Sequence, residues 1–445
     1  MLLNEIVPEN CADKPATLTA TRSTTRNPWA WVPTLYLAEG FPNAIATAVA
    51  VILYQELGID DARITFYTSL FYLPWVIKPL WSPCVDILRT RRIWIWQTQF
   101  LLCAALAGIA ISLPGRHFFP VSLAFFWLLT FCSATHDIAA DGFYILGLAE
   151  REQSFFVGVR NTVYRIALLC AQGPFFIYVA RLEARTGNVA AGWAVGFATM
   201  AGVFLCFGAY HSFILPRPVA DRRGSTESLA KFFRDFVVIF KVFFQKPKIL
   251  TLLAFLLFYR FGEAQLLKVA PLFVKHARVG GGLGLTTEQF GTFYSTMGVA
   301  ALLVGGFIGG ILVSRHGLRA WLWPMVIMMH LPDAIYIYLS FARPENLKLI
   351  GACVALEQFG YGFGFTAYML YMIYIARGQH ATAHYAICTG FMALGFMLPG
   401  LWSGKLEKWL GYPHFFIWVV LATIPGFIVT ALIPLDAEFG KKKTT

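Results

Sequence analysis

The sequence predicts an all-α membrane protein of twelve transmembrane helices, folded as two pseudo-symmetric six-helix bundles with both termini cytoplasmic. Three observations carry that prediction. The 445 residues are 58% hydrophobic and only 13% charged, with a mean hydropathy of +0.61, whereas a soluble domain carries about 25% charged residues. A window of about 19 residues finds twelve apolar segments long enough to span a bilayer. The longest polar interruption, 216–247, falls between the sixth and seventh of them.

The spans are expected near 29–54, 64–82, 93–114, 121–147, 156–180, 192–215, 248–273, 288–313, 321–341, 348–376, 384–405 and 414–435. The chain then divides into a polar tail (1–27), a first bundle (28–215), a linker (216–247), a second bundle (248–435) and a basic tail (436–445). The tail 1–27 has no apolar core of a signal peptide, so the first span itself is expected to direct insertion. Net charge is +12, but the Lys and Arg residues gather in loops on one side, as at Arg89, Arg151, Arg217, Arg377 and Lys441–Lys443. That asymmetry orients the chain by the positive-inside rule and gives no reason to invoke nucleic acid. Within the linker, SLAKFFRDFVVIFKVFFQK (228–246) is too short and too interrupted to cross, and is expected to lie on the cytoplasmic membrane surface. Eight cysteines show no paired spacing; neither disulfide, metal nor cofactor is expected.

Ionisable residues inside spans cost about 2.5–3.5 kcal/mol each on insertion scales and persist where they face protein, water or a partner charge. Asp137 and Asp141 lie in the apolar run VSLAFFWLLTFCSATHDIAADGFYILGL, one helical turn apart and so on one face. Glu39 lies mid-span beside Gly40 and Pro42. Glu263 and Glu357 are their counterparts in the second half, and these five acids are the proton-coupling candidates. Arg160, Tyr164, Arg260, Gln265, Lys268, Gln358 and Tyr361 are the polar groups expected to line a central substrate cavity. Plainer readings stand beside these: Arg260–Glu263 as a structural ion pair, Lys268 as a snorkelling side chain, His330 as a packing residue. Gly305, Gly306, Gly309 and Gly310 read as close helix contacts, and Trp29, Trp31, Trp321 and Trp323 as interface anchors. His380 and His384 lack a further ligand for a metal. No GxSxG, HExxH or P-loop motif is present, so the chain is read as a non-enzyme.

The loops WSPCVDILRTRRIW (81–94) and GGILVSRHGLRAW (309–321) occupy equivalent places in the two halves. They resemble the cytoplasmic loop signature of the major facilitator superfamily, with Asp86, Arg89, Arg91, Arg92, Arg315 and Arg319 as a cytoplasmic gate. Ser314 stands where an acid is usual. LYLAEGFP (35–42), KPLWSPCVD (78–86) and ATHDIAADGFY (134–144) further resemble the anhydromuropeptide permease and acetyl-coenzyme A transporter branch of that superfamily. The resemblance implies a proton-driven secondary transporter of the inner membrane that imports GlcNAc-anhydromuramyl peptides by alternating access. The cations among the cavity candidates suit an anionic small-molecule substrate; protons and the bilayer are the other partners expected, with no obligate protein partner. His136 stands where that family commonly has Gln, and Glu39 where many members have a small residue. Siderophore or other organic-anion import, drug export, and ligand sensing without transport are the competing readings.

Overall fold

The computed structural model describes residues 26–439, apart from 83–84, 86–87, 149, 219–220, 222–233, 235–236, 378–380 and 437–438. Among the described residues nine helices are long and apolar enough to cross a membrane, and the division of one of them at Gly411, with the segments 61–80 and Leu347–Ala376, gives twelve helical segments. In the first half these are α1 (Pro28–Glu56), α2 (61–80), α3 (Arg91–Ser112), α4 (Phe118–Gly147), α5 (Glu150–Thr186) and α6 (Val189–Ile214). In the second they are α7 (Ile249–Lys275), α8 (Thr287–His316), α9 (Leu318–Ala342), α10 (Leu347–Ala376), α11 (381–410) and α12 (412–432). A sharp turn at Gly411, φ 72°, separates the last two. Each segment lies within a few residues of its expected span.

Apolar side chains occur on both faces of most helices, as bilayer burial requires. Ile111, Phe213, Leu250 and Phe307 are exposed on the perimeter and meet lipid. Inside, aromatic rings pack each bundle: Phe71 stacks on Phe126 at 5.4 Å, and Tyr259 on Tyr368 at 5.1 Å. The glycines of α8 do make a close helix contact, because a Cβ at Gly309 would meet the Phe363 carbonyl of α10 at 3.2 Å. Trp29 is exposed at a helix end, but Trp31 is wholly buried and packs edge-on against Phe143 at 5.3 Å, so it is a core residue and no interface anchor. The described end of the linker, 237–244, is helical. It buries Phe243 against His384 while Val237, Val238 and Val242 stay exposed.

The helices that open the two halves are both irregular at mid-depth. In α1, Pro42 is followed by a π-helical stretch, Ile45–Val49. α7 breaks at Tyr259–Arg260 between Ile249–Phe258 and Phe261–Lys275. α9 breaks too, with a 3₁₀ turn Leu331–Ala334 around Pro332. Backbone irregularity at membrane depth is tolerated where it is enclosed by protein or lines a cavity. Glu39, Arg260, Glu263 and Asp333 lie at or beside these breaks.

Candidate functional site

A cavity of about 320 Å³ lies between the halves. Asn43, Tyr72, Trp75 and Lys78 line it from α1 and α2, and Arg260, Tyr361, Thr389, Met392 and Phe396 line it from α7, α10 and α11. It brings one cation from each half onto a mixed polar and aromatic wall. Arg260 donates to the Tyr361 hydroxyl at 2.6 Å and lies over the rings of Phe365 (4.8 Å) and Phe396 (5.2 Å). That stacking presents a buried guanidinium in one orientation, suited to an anionic group. Lys268 is buried between Tyr72 and Phe396 and reaches Thr68 Oγ1 at 3.3 Å. It braces the aromatic wall and does not snorkel.

Beside Lys78, the three acids of the first half meet. Carboxylate oxygens of Glu39, Asp137 and Asp141 all lie within 4.8 Å of one another. Asp137 is ion-paired with Lys78. Asp141 pairs with Arg160 at 2.9 Å and accepts from the Tyr36 hydroxyl at 3.2 Å. Arg160 lies over the rings of Tyr36 (4.6 Å) and Tyr144 (5.2 Å). Glu39 is buried and in hydrogen-bond contact with Asp137. Two carboxyl groups in such contact need one proton between them. Three acids facing two cations likewise leave room for one proton at neutrality. Tyr164 packs against Gly40, next to Glu39.

His136, adjacent to Asp137, belongs to a separate buried chain. Its Nε2 is 2.9 Å from Gln99 Nε2, Gln99 Oε1 is 2.9 Å from His211 Nδ1, and His211 Nε2 is 2.9 Å from Thr34 Oγ1. The amide of Gln99 donates and accepts without relaying a proton, so the chain ties α1, α3, α4 and α6 together as packing.

The second half assembles its own triad from Glu263, Asp333 and Glu357, all buried and again within 4.8 Å of one another. Gln358 Nε2 donates to both oxygens of Glu357, at 3.2 and 3.1 Å, and the Tyr336 hydroxyl to one at 3.4 Å. Gln265 faces elsewhere: Trp418 donates to its Oε1 at 2.9 Å, and its amide caps the Phe261 carbonyl.

At the face opposite the termini the halves are locked together. Glu56 at the end of α1 is ion-paired with Lys275 of α7, accepts from Thr287 of α8, and accepts from Trp193 Nε1 at 2.7 Å. Gln55 Nε2 donates to the Leu272 carbonyl at 2.7 Å. Nearby, Lys408 pairs with Asp60 at 2.9 Å, and Tyr412 donates to Asp61 at 3.2 Å. The Gly404 amide donates to Thr65 Oγ1 at 3.1 Å, and a Cβ there would meet the Asp61 carbonyl at 2.5 Å. Valine at Gly404 is therefore expected to wedge α2 from α11 and open this face. A cysteine at buried Thr68 should then label from that face roughly tenfold faster, the effect of ~1.4 kcal/mol on the gating equilibrium. Unchanged labelling would show that this contact is no gate.

At the termini's own face, Asp86 of the expected gate lies outside the described residues, as does His380. Asp221 accepts from the backbone amides of Arg91 (2.9 Å) and Arg92 (3.0 Å), capping α3, while Arg92 reaches the Leu215 carbonyl at 3.2 Å. These contacts join the first half to the start of the linker and do not reach the second half. Arg89, Arg315 and Arg319 are exposed.

Sequence reasoning missed Lys78, which the sequence places in KPLWSP at a span end, where a cation ordinarily reads as a loop anchor. It also missed the Glu56–Lys275 pair and the place of Asp333 in the second triad. For Asp333 the signal was available: an acid inside a span next to Pro332.

The sequence profile of the Major Facilitator Superfamily matches residues 34–400. A protein named "Putative transporter AmpG 4" from Rickettsia conorii is 26% identical over 403 residues, covering 89% of this chain and 94% of the relative. The "Anhydromuropeptide permease" of Escherichia coli is 26% identical over 415 residues, covering 92% and 80%. Among solved structures, an inward-facing bacterial homologue of the human lysosomal transporter Spinster superposes with a TM-score of 0.65 at 15% identity, covering 91% of this chain and 94% of that one. The inward-open xylose transporter XylE from E. coli gives 0.66 at 12% identity, covering 91% and 96%.

Proposed function

The chain belongs to the major facilitator superfamily and is a multi-pass inner-membrane transporter, and from that premise we propose that it imports cell-wall muropeptides, GlcNAc-anhydromuramyl peptides, together with protons. The observation that carries this reading is Lys78. It lines the cavity and is also the counter-charge of Asp137. A substrate carboxylate that engages Lys78 takes up part of that cation's charge, and Glu39, the acid of the triad with no cation of its own, then takes a proton so that the dry site stays neutral. Binding of anion and proton would then be one event. Arg260 would hold the substrate from the other half, so closure around the ligand needs both bundles.

Of the five acids, Glu39, Asp137 and Asp141 are assigned the proton, because they adjoin the cavity and share the cations. Positive-inside orientation makes the locked face the outer one, and the inward-facing relatives in fold are consistent with a cavity that serves the cytoplasmic side. Arg160, by its pairing with Asp141, supports the triad and does not contact substrate. A second reading, import of a smaller organic anion, is favoured by the cavity's volume, which is at the low end for ligand pockets.

The test is uptake of labelled GlcNAc-anhydromuramyl peptide into proteoliposomes holding this protein, with and without an inward proton gradient. Accumulation dependent on the gradient is expected. Absence of uptake by folded protein would remove this substrate class, and competition by siderophores and simple organic anions would then identify the other.

A further inference from the structure

The two acid triads differ in how their charge is met. In the first, Asp137 and Asp141 pair with Lys78 and Arg160, and Glu39 contacts Asp137 through one oxygen, so that Glu39 Oε2 alone is left without a partner. In the second, none of the four carboxylate oxygens of Glu263 and Asp333 has a hydrogen-bond partner among the described residues. Both residues are fully buried. Arg260 adjoins Glu263 but is held by Tyr361 and the aromatic rings around it.

A second, separate group points to the same place. His330 is 1% exposed and hydrogen-bonds the Tyr259 backbone through one ring nitrogen, which leaves the other without a partner. Its Nδ1 lies 3.9 Å from Asp333 Oδ2. Buried polar groups are nearly always satisfied, and each exception requires a cause, an ion being one. Neutral acids in mutual contact would donate to one another, yet no such bond joins Glu263, Asp333 and Glu357. Their spacing instead suits oxygens arranged around a shared ion: metal–oxygen distances of about 2.3–2.6 Å put ligand oxygens roughly 3.3–5 Å apart. The observed triad fits within 4.8 Å. The Tyr336 hydroxyl beside Glu357 supplies a further oxygen.

We infer that Glu263, Asp333 and Glu357 form a binding site for a hard, oxygen-ligated metal cation, with His330 against its edge, in the half of the transporter opposite the proton triad. Three carboxylates and a hydroxyl are ligands for Na⁺ or Ca²⁺, and a poor set for soft thiophilic metals. The site bridges α7, α9 and α10 at the breaks of α7 and α9. An ion there would fix the geometry of the segment that presents Arg260 to the cavity. The inference does not depend on the identity of the transported substrate.

The test uses the full-length protein purified in detergent and stripped of metal in choline chloride. NaCl and CaCl2 are titrated separately, with binding heat and thermal unfolding as readouts. A saturable heat and a raised Tm with one of them are expected, and the responding ion distinguishes a sodium from a calcium site. Glu263→Gln and Asp333→Asn should each weaken that binding at least tenfold, whereas Glu288→Gln, an exposed acid, should leave it unchanged. Should either variant fail to elute as a single species, Glu357→Gln takes its place. Absence of saturable binding of both ions to the unaltered protein would overturn the inference. So would unweakened binding in the folded triad variants.

Discussion

Glutamine in place of Glu39 is expected to uncouple the transporter without dismantling it. The amide keeps the size of the side chain and can still donate to Asp137, as a protonated Glu39 does. Asp137 and Asp141 keep their partners Lys78 and Arg160, so two acids face two cations and the triad is neutral with no proton to lose. Counterflow exchange of substrate should persist within a few fold. Accumulation driven by a proton gradient should fall tenfold or more, and the rise in uptake with falling external pH should flatten. Asp137→Asn makes a useful contrast. It leaves Lys78 without its acid, so exchange and accumulation should decline together. Retention of full gradient-driven accumulation in both variants would remove the proton from this triad.

Truncating Arg260 to Ala should weaken substrate binding by about 2 kcal/mol or more, roughly thirtyfold in KM, because a buried cation that meets an anion contributes on that scale. Arg260→Lys keeps the charge and loses the planar stack over Phe365 and Phe396, so it should fall between the two. The loss should appear in KM more than in the maximal rate, since Arg260 holds no acid that the proton reading needs. An uncharged analogue of the substrate should be nearly indifferent to the change. Equal loss for charged and uncharged ligands would mean that Arg260 supports the fold of α7 and does not recognise the anion.

The architecture was legible in the sequence because membrane insertion imposes a one-dimensional signal, a long apolar run between charged loops. Only two features blurred it: α2, with Pro74 and the turn at 71–72, and the pair α11–α12, fused but for Gly411. The functional acids were legible for a related reason, since an acid in a span has few bland explanations. What the sequence did not carry was which charges meet. Asp137 and Asp141 share a helix face, yet their partners Lys78 and Arg160 come from α2 and α5, 59 and 19 positions away in the sequence. Arg160 was expected in the substrate cavity and Lys78 was not singled out, whereas the packing of α1, α2, α4 and α5 puts Lys78 at the cavity and pairs Arg160 with Asp141. Gln265 was expected to face substrate; the break before Phe261 turns it toward Trp418 on α12. The lock at the far face rests on residues at span ends, where Glu56 and Lys275 look like ordinary rim charges until the two halves are superposed.

The most direct test of the central claim, that substrate and proton move as one event through the Glu39–Asp137–Asp141 triad, is a proton count. Muropeptide is added to lightly buffered, de-energised proteoliposomes, and the external pH is followed. The account predicts an alkaline shift in step with uptake, near one proton per substrate, that vanishes in Glu39→Gln while exchange continues. Uptake without any pH change in the unaltered protein, or an undiminished shift in Glu39→Gln, would contradict it.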